Sequence, residues 1–300
     1  MSAAVGRDQP EDLTVSLRYL KRCEIYKVLR PYTLACKVDD EFPTNNLVFQ
    51  YGPPQKIFDI RGLAPGHLSV ERNGISMVKH EFRAGAEDEE SINKPGGYLD
   101  ELRQLVKDQL GNQGIVVEDA KVINWVHRTA REEGMFKNAT LSGKTFNGFA
   151  PDTYVHNDCN FYGGDKRIRA VLGDDAESIL ATKRVRIMNC WKPIVNTVED
   201  CNLTICDAST VDHDKCVHGD FIVTPDYVSQ TNYADYSEQQ VWYYISHQRT
   251  DELLFFMQHD TDEQSNARYC PHGAFWKDDP SKCSTPRESI EVRVLLITPK

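Results

Sequence analysis

The chain has 300 residues with a formal net charge of -10, and 40% of them are hydrophobic against 27% charged, the balance of a folded globular protein with material for a sizeable core. The acidic charge and the lack of any Lys/Arg run argue against a nucleic-acid partner, and no apolar run approaches the ~20 residues needed to span a bilayer. The polar start, MSAAVGRDQPEDL, lacks the apolar stretch of a secretory leader. The expectation is a cytoplasmic enzyme or small-molecule binding protein without a membrane partner, whose nine scattered cysteines are reduced and mostly buried. Nothing in the pattern speaks to oligomeric state.

Up to about Gly97, short β-like runs (LTVSLRYL, NNLVFQYG, KIFDIRGL) alternate with turn-formers and end in AGAEDEESINKPGG. Its acidic, Gly- and Pro-containing composition predicts an exposed loop, with residues 87–90 a solvated face. YLDELRQLVKDQLG follows, with Leu99, Leu102, Val106 and Leu110 at helical spacing and Gly111 as a stop. From Lys121 onward the signal turns to strands: KVINWVHR, TYVHND, RVRIMNCW, LTICDAST, QQVWYYIS, ELLFFMQH, ARYCPHGAF and SIEVRVLLI. Eight such segments predict a sandwich or jelly-roll barrel rather than alternating βαβ units. The fold class is therefore mainly β with flanking helices, a single domain over residues 1–300 with an N-terminal β/α extension (1–120) and a jelly-roll core (121–300).

In a barrel, inward side chains of neighbouring strands converge on a rigid interior, which suits a metal site. YVHNDC reads as a strand, so His156 and Asp158, two apart, share a face. With a second, distant histidine they make the two-imidazole, one-carboxylate set of non-haem iron(II), which leaves two positions for a bidentate 2-oxo acid and one for dioxygen. H-x-D alone recurs by chance, but the C-terminal segment adds weight. There His272 precedes Arg287 by fifteen positions, and Ser289 lies two beyond on the same face of the last strand. A guanidinium binds the distal carboxylate of a small dicarboxylate bidentately, and the hydroxyl adds one hydrogen bond. H-x-D, a distal His and R-x-S, in that order, form a 2-oxoglutarate oxygenase pattern.

The runs NCWKPI (189–194), ICDAST (205–210), PHGAF (271–275) and PRESIEVR (286–293) resemble the fungal gibberellin-desaturase and AsaB-like hydroxylase/desaturase family, from about residue 50 to the C-terminus. The resemblance implies a double-stranded β-helix (jelly-roll, cupin-like) core and an iron(II)/2-oxoglutarate-dependent dioxygenase of secondary-metabolite biosynthesis. Such an enzyme acts on an unactivated C–H bond of a small specialised metabolite by hydroxylation, desaturation or oxidative cyclisation, with Fe(II), 2-oxoglutarate and O2. Carried over residue by residue, His156, Asp158 and His272 go to iron, and Arg287 with Ser289 to 2-oxoglutarate. Where that family has Trp-Arg-Pro this chain has Trp191, Lys192 and Pro193, and lysine lacks arginine's planar fork.

Other readings compete. His259 in MQHDTDE lies nine before Arg268, but Tyr269 and Cys270 follow, so no R-x-S forms and His272 is preferred; His259 then ends a strand. Arg293 shares the parity of Arg287, Ser289 and Glu291, as a second dicarboxylate anchor or, preferably, as an ion-pair partner of Glu291. Asn189 either bonds the 2-oxo acid or packs in the core, and Trp191 either walls the substrate pocket or packs likewise. Cys201, Cys206, His213, Cys216 and His218 lack the paired spacing of a zinc site. HRTAREE, starting at His127, holds a general base or is a charged strand end. Two further classes stay open: a cupin-type metal enzyme that does not use 2-oxoglutarate, and a non-catalytic β-barrel binding protein.

Overall fold

In the computed structural model, which describes residues 9–34, 42–130, 137–141, 144–147, 150–224, 227–278 and 285–300, the early β-like runs become β1 (Leu13–Val15), β2 (Arg18–Leu20), β3 (Tyr32–Leu34), β4 (Phe49–Tyr51) and β5 (Gln55–Asp59). Helix α1 (Val70–Asn73), β6 (Ile75–Lys79), α2 (Glu89–Asn93) and α3 (Tyr98–Gly111) follow. Then come β7 (Asp119–Thr129), the hairpin β8 (Lys137–Leu141) and β9 (Lys144–Asn147), and helices α4 (Phe161–Leu172) and α5 (Ala176–Thr182). The remainder is strand: β10 (Lys183–Pro193), β11 (Cys201–Cys206), β12 (Cys216–Thr224), β13 (Tyr227–Ala234), β14 (Trp242–Tyr244), β15 (Glu252–Asp260), β16 (His272–Trp276) and β17 (Glu288–Pro299).

Two five-stranded sheets, in the orders β1-β5-β14-β11-β16 and β6-β15-β10-β17-β7, hold the core between them. One cluster takes Leu203 and Ile205 of the first sheet together with Met188, Cys190, Phe255 and Val292 of the second. The central strands β10, β15 and β17 are buried along nearly their whole length, which is why LLFFM and VLLI read as unbroken apolar runs rather than as alternation. Strands from the first 120 residues complete both sheets, β1 and β5 in one and β6 at the edge of the other. A third sheet, β13-β12-β3, stands beside them.

Helix α3 forms where its spacing predicts, with Tyr98, Leu102, Leu105, Val106 and Leu110 buried while Leu99 is only partly so. Gly111 is its last helical residue; the left-handed turn comes at Gly114 (φ 82°), where Ile115 N–H reaches back to the carbonyl of Leu110 at 2.9 Å.

Three expectations fail. The acidic stretch is not all exposed loop: Asp88 caps α2, and Ile92 is completely buried under it. YVHNDC is not a strand, only two isolated bridges. Two helices interrupt the supposed all-strand half, because the glycines in FYGGDKRIRAVL hide its period while Ile168 and Leu172 still share a buried face. The β12–β13 hairpin, CVHGDFIVT and YVSQTNYA, was also missed.

Candidate metal centre

The segment carrying His156 and Asp158 crosses between sheets, stitched down one residue at a time. His156 exchanges backbone hydrogen bonds of 3.0 and 2.8 Å with His272 on β16, and Asn157 exchanges bonds of 2.7 and 3.0 Å with Asn232 on β13. The amide of Asp158 donates to the buried Gln258 side chain at 3.1 Å. Gly273 permits the close approach: a Cβ there would stand 2.7 Å from the carbonyl oxygen of Tyr154. That same oxygen accepts Nδ1–H of His156 at 3.0 Å, and the carbonyl of Cys270 accepts Nδ1–H of His272 at 3.1 Å. Each ring therefore keeps its proton on Nδ1 and presents a bare Nε2.

One ligand atom each from His156, Asp158 and His272 lies within 4.8 Å of the others, the one such cluster among the described residues. Nε2 of His156 is 3.9 Å from Oδ1 of Asp158. Burial pushes the His272 imidazole down to about 3, with His156 adding to the effect, so it stands neutral as a ligand must. Burial opposes ionisation of Asp158, but the charge of Arg293 and a hydrogen bond from Asn189 hold the carboxyl well below its ordinary value. Asn189 Nδ2 reaches Oδ2 of Asp158 at 2.9 Å; Arg293 brings Nε to Oδ2 at 3.1 Å and Nη2 to Oδ1 at 3.0 Å. A carboxylate oxygen has about two lone-pair directions, so these contacts orient Asp158 and still leave Oδ1 a lone pair for an ion. The donor set fits a divalent metal.

Arg287, just ahead of β17, is buried, and among the described residues it makes no ion pair. Nη1 donates to the Cys201 carbonyl at 2.8 Å, Nε has no partner, and the guanidinium lies 5.3 Å from the Trp191 ring centre. Burial, with Arg128 nearby, lowers its pKa from the ordinary arginine value. A buried cation without a counter-ion is what a dicarboxylate would complete. Its cleft, bounded by Trp191, Leu203, His156, His272 and Glu291, is narrow, about 20 Å³. A cavity of about 150 Å³ lies on the other side, also against His156 and lined by Asp158, Phe221, Thr231 and Tyr233. Arg128 and Asp152, an ion pair at 2.9 Å, line both spaces. Ser289 is fully buried, its hydroxyl 3.5 Å from the carbonyl of Arg128.

The structure thus brings His156, Asp158, His272, Asn189, Arg287, Trp191 and Arg293 around one centre. Asn189 touches Asp158, and Arg293 pairs with Asp158 and, at 2.5 Å, with Glu291. His259 stands apart: Nε2 bonds Asp165 of α4 at 2.9 Å, and Gly164 lies so close that a Cβ there would collide with the ring. His127 is buried near the end of β7 and bonds the carbonyl of Ala86 at 2.8 Å, while residues 131–133 of HRTAREE lie outside the described residues. His213 packs on Tyr269, Cys216 faces the Tyr269 hydroxyl and His218 bonds Asn232, and these side chains do not form a metal-sized cluster among the described residues. Lys192 lies over Phe82 and Tyr98 on the face of β10 opposite Asn189 and Trp191. Cys36 and Cys283 lie outside the described residues; the other seven cysteines are free thiols. The sequence reading missed Arg128, Asp152 and Gln258. Arg128 adjoins the His127 it singled out, and only strand pairing, which sets Arg128 opposite Ser289, marks it.

A double-stranded β-helix holding a His–Asp–His cluster and a buried arginine is the frame of the iron(II)/2-oxoglutarate-dependent dioxygenases, and this chain is an enzyme of that class. It belongs to the family described as Oxidoreductase/YMDC permease-like domain, which matches residues 17–297. It is 27% identical to the hydroxylase/desaturase efuI of Hormonema carpetanum, over 81% of this chain and 83% of that one. It is 28% identical to the alpha-ketoglutarate-dependent dioxygenase phiK of a fungal species, over 84% and 89%. The solved structure of the iron and alpha-ketoglutarate-dependent endoperoxidase NvfI superposes with a TM-score of 0.72, covering 96% of this chain and 99% of that one at 19% identity.

Proposed function

We propose that the chain uses iron(II), 2-oxoglutarate and dioxygen to oxidise an unactivated C–H bond of a small specialised metabolite, by hydroxylation, desaturation or ring closure. The observation that carries this reading is the convergence of His156, Asp158 and His272 beside the unpaired guanidinium of Arg287. Iron(II) held there with 2-oxoglutarate supplies an oxidant made from dioxygen, the co-substrate leaving as succinate and carbon dioxide. The chain's own part is positional. Nε2 of His156 and His272 and Oδ1 of Asp158 hold the metal; Asn189 and Arg293 keep the carboxylate turned toward it. Arg287 and Ser289 take the distal carboxylate, and Trp191 walls that side. The substrate enters the larger cavity, whose Phe221, Tyr154 and Tyr233 exclude water from the carbon that faces the metal.

Residues 1–300 act as one unit on this reading, strands of the first 120 being built into the sheets of the 121–300 core. The net charge of -10 supports the absence of a nucleic-acid partner, and the free thiols support a cytoplasmic location. Among the described residues no helix is long and apolar enough to cross a membrane. The test is an anaerobic titration: a weak visible absorption band appears only when iron(II) and 2-oxoglutarate are both added, and exposure to air then yields succinate as oxygen is consumed. A band that forms with iron(II) but is indifferent to 2-oxoglutarate would move the chain to the metal enzymes that do without it.

A further inference from the structure

Three arginines, Arg128, Arg167 and Arg293, line the larger cavity, and two of them are neutralised. Arg128 pairs with Asp152 at 2.9 Å, and Arg293 with Asp158 and Glu291. Arg167, on α4, has no ion pair among the described residues. Nη2 donates to the hydroxyl of Ser229 at 3.2 Å, a neutral partner, while Nη1 is buried and has no hydrogen-bond partner among the described residues. The nearest acidic residue on its own helix, Asp165, is taken by His259 at 2.9 Å. A guanidinium that lines a cavity with one edge unsatisfied is short of an anion, and its planar fork suits a carboxylate.

The wall beside Arg167 shows what such an anion would be attached to. Thr33, Phe221 and Ser229 sit in one cross-strand row of the third sheet, and Phe221, with Val126, Tyr154 and Tyr233, gives an apolar lining to the cavity that Arg167 shares with His156 and Asp158. We propose that Arg167 is a specificity residue that binds a carboxylate of the substrate, so that the enzyme acts on a small organic acid with an apolar skeleton, held by its acid group while another carbon faces the metal centre. The proposal rests on the oxygenase reading for which carbon reacts, but not for what binds.

The experiment is equilibrium dialysis of the full chain, loaded anaerobically with iron(II) and saturated with 2-oxoglutarate so that Arg287 is occupied. The probes are benzoate and cyclohexanecarboxylate, each beside its methyl ester and primary amide. The acids should bind at least about tenfold more tightly than their esters and amides, as expected of a charge-assisted contact. Arg167→Gln should erase that preference while leaving ester binding unchanged, and Arg167→Lys should restore part of it. If Arg167→Gln does not fold, Arg167→Lys alone decides, by weakening the acids and not the esters. No acid preference in the wild type, no binding of any probe, or a preference that survives Arg167→Gln overturns the proposal. The absorption band is read on the same sample: its absence together with an Arg167-dependent acid preference sinks the oxygenase reading and leaves this one standing.

Discussion

His156, Asp158 and His272 each give one donor to a common point, so alanine at any of them should abolish iron(II) binding, read as loss of the absorption band, while the far-ultraviolet spectrum stays that of the folded chain. His259→Ala should do the reverse. It keeps the band but loses about 1–3 kcal/mol of stability in urea, because it strips a buried bond to Asp165. A His259→Ala protein that cannot bind iron would show that the ligand set is misassigned. The two strand arginines should separate as cleanly. Arg287→Lys should raise the KM for 2-oxoglutarate about tenfold or more with iron affinity little changed, since an ammonium cannot make both guanidinium bonds. Arg293→Lys should instead weaken iron, because Arg293 grips the carboxylate of Asp158, and outer-shell partners of metal ligands are worth roughly 10–100-fold in affinity.

At the level of elements, Gly273, the second residue of β16, is a position where a single methyl group would bear on the metal centre. Gly273→Ala would press on the carbonyl of Tyr154 that fixes the His156 ring. It should cost about 1–3 kcal/mol of stability and loosen iron as well, whereas Leu102→Ala in α3 should cost about 2–5 kcal/mol and leave iron affinity untouched; urea melts with and without metal distinguish the two. Helix α3 was legible because five buried positions repeat at helical spacing over fourteen residues. The central strands were legible as apolar runs. Helix α4 was not, since Gly164 lets it lie against His259 and Gly163 against the carbonyl of Gln230, a tertiary demand that erases local propensity. YVHNDC is not the strand its alternation predicts: His156 and Asp158 reach one centre through bridges to two separate sheets, which no period-two pattern expresses. Arg287 and Ser289 are singled out by their order in the chain, whereas the Arg128–Asp152 pair, assembled across 24 positions from a strand and a loop, has no local signature.

For the molecule as a whole, the cluster fastens a crossing segment to β16 and β13, so metal binding and folding are linked. A non-redox divalent ion at about 100 times its dissociation constant should stabilise the wild type by about 2.7 kcal/mol, measured as a shift of the urea midpoint under argon. Asp158→Ala should show no shift. An equal shift in that variant would place the ion elsewhere.

Strand β13 keeps two sets of obligations apart by parity. Its even residues are tied to the ligand segment: the carbonyl of Gln230 accepts the amide of Asn160, and Asn232 exchanges both backbone bonds with Asn157. Its odd residues Ser229, Thr231 and Tyr233 turn their side chains to the cavity. An evolving lineage can therefore exchange three side chains to admit a different molecule while the hydrogen bonds that seat the two adjoining ligands are carried by peptide groups common to every sequence. One rigid frame can be handed from pathway to pathway, with every second letter of this strand free to be rewritten along the way.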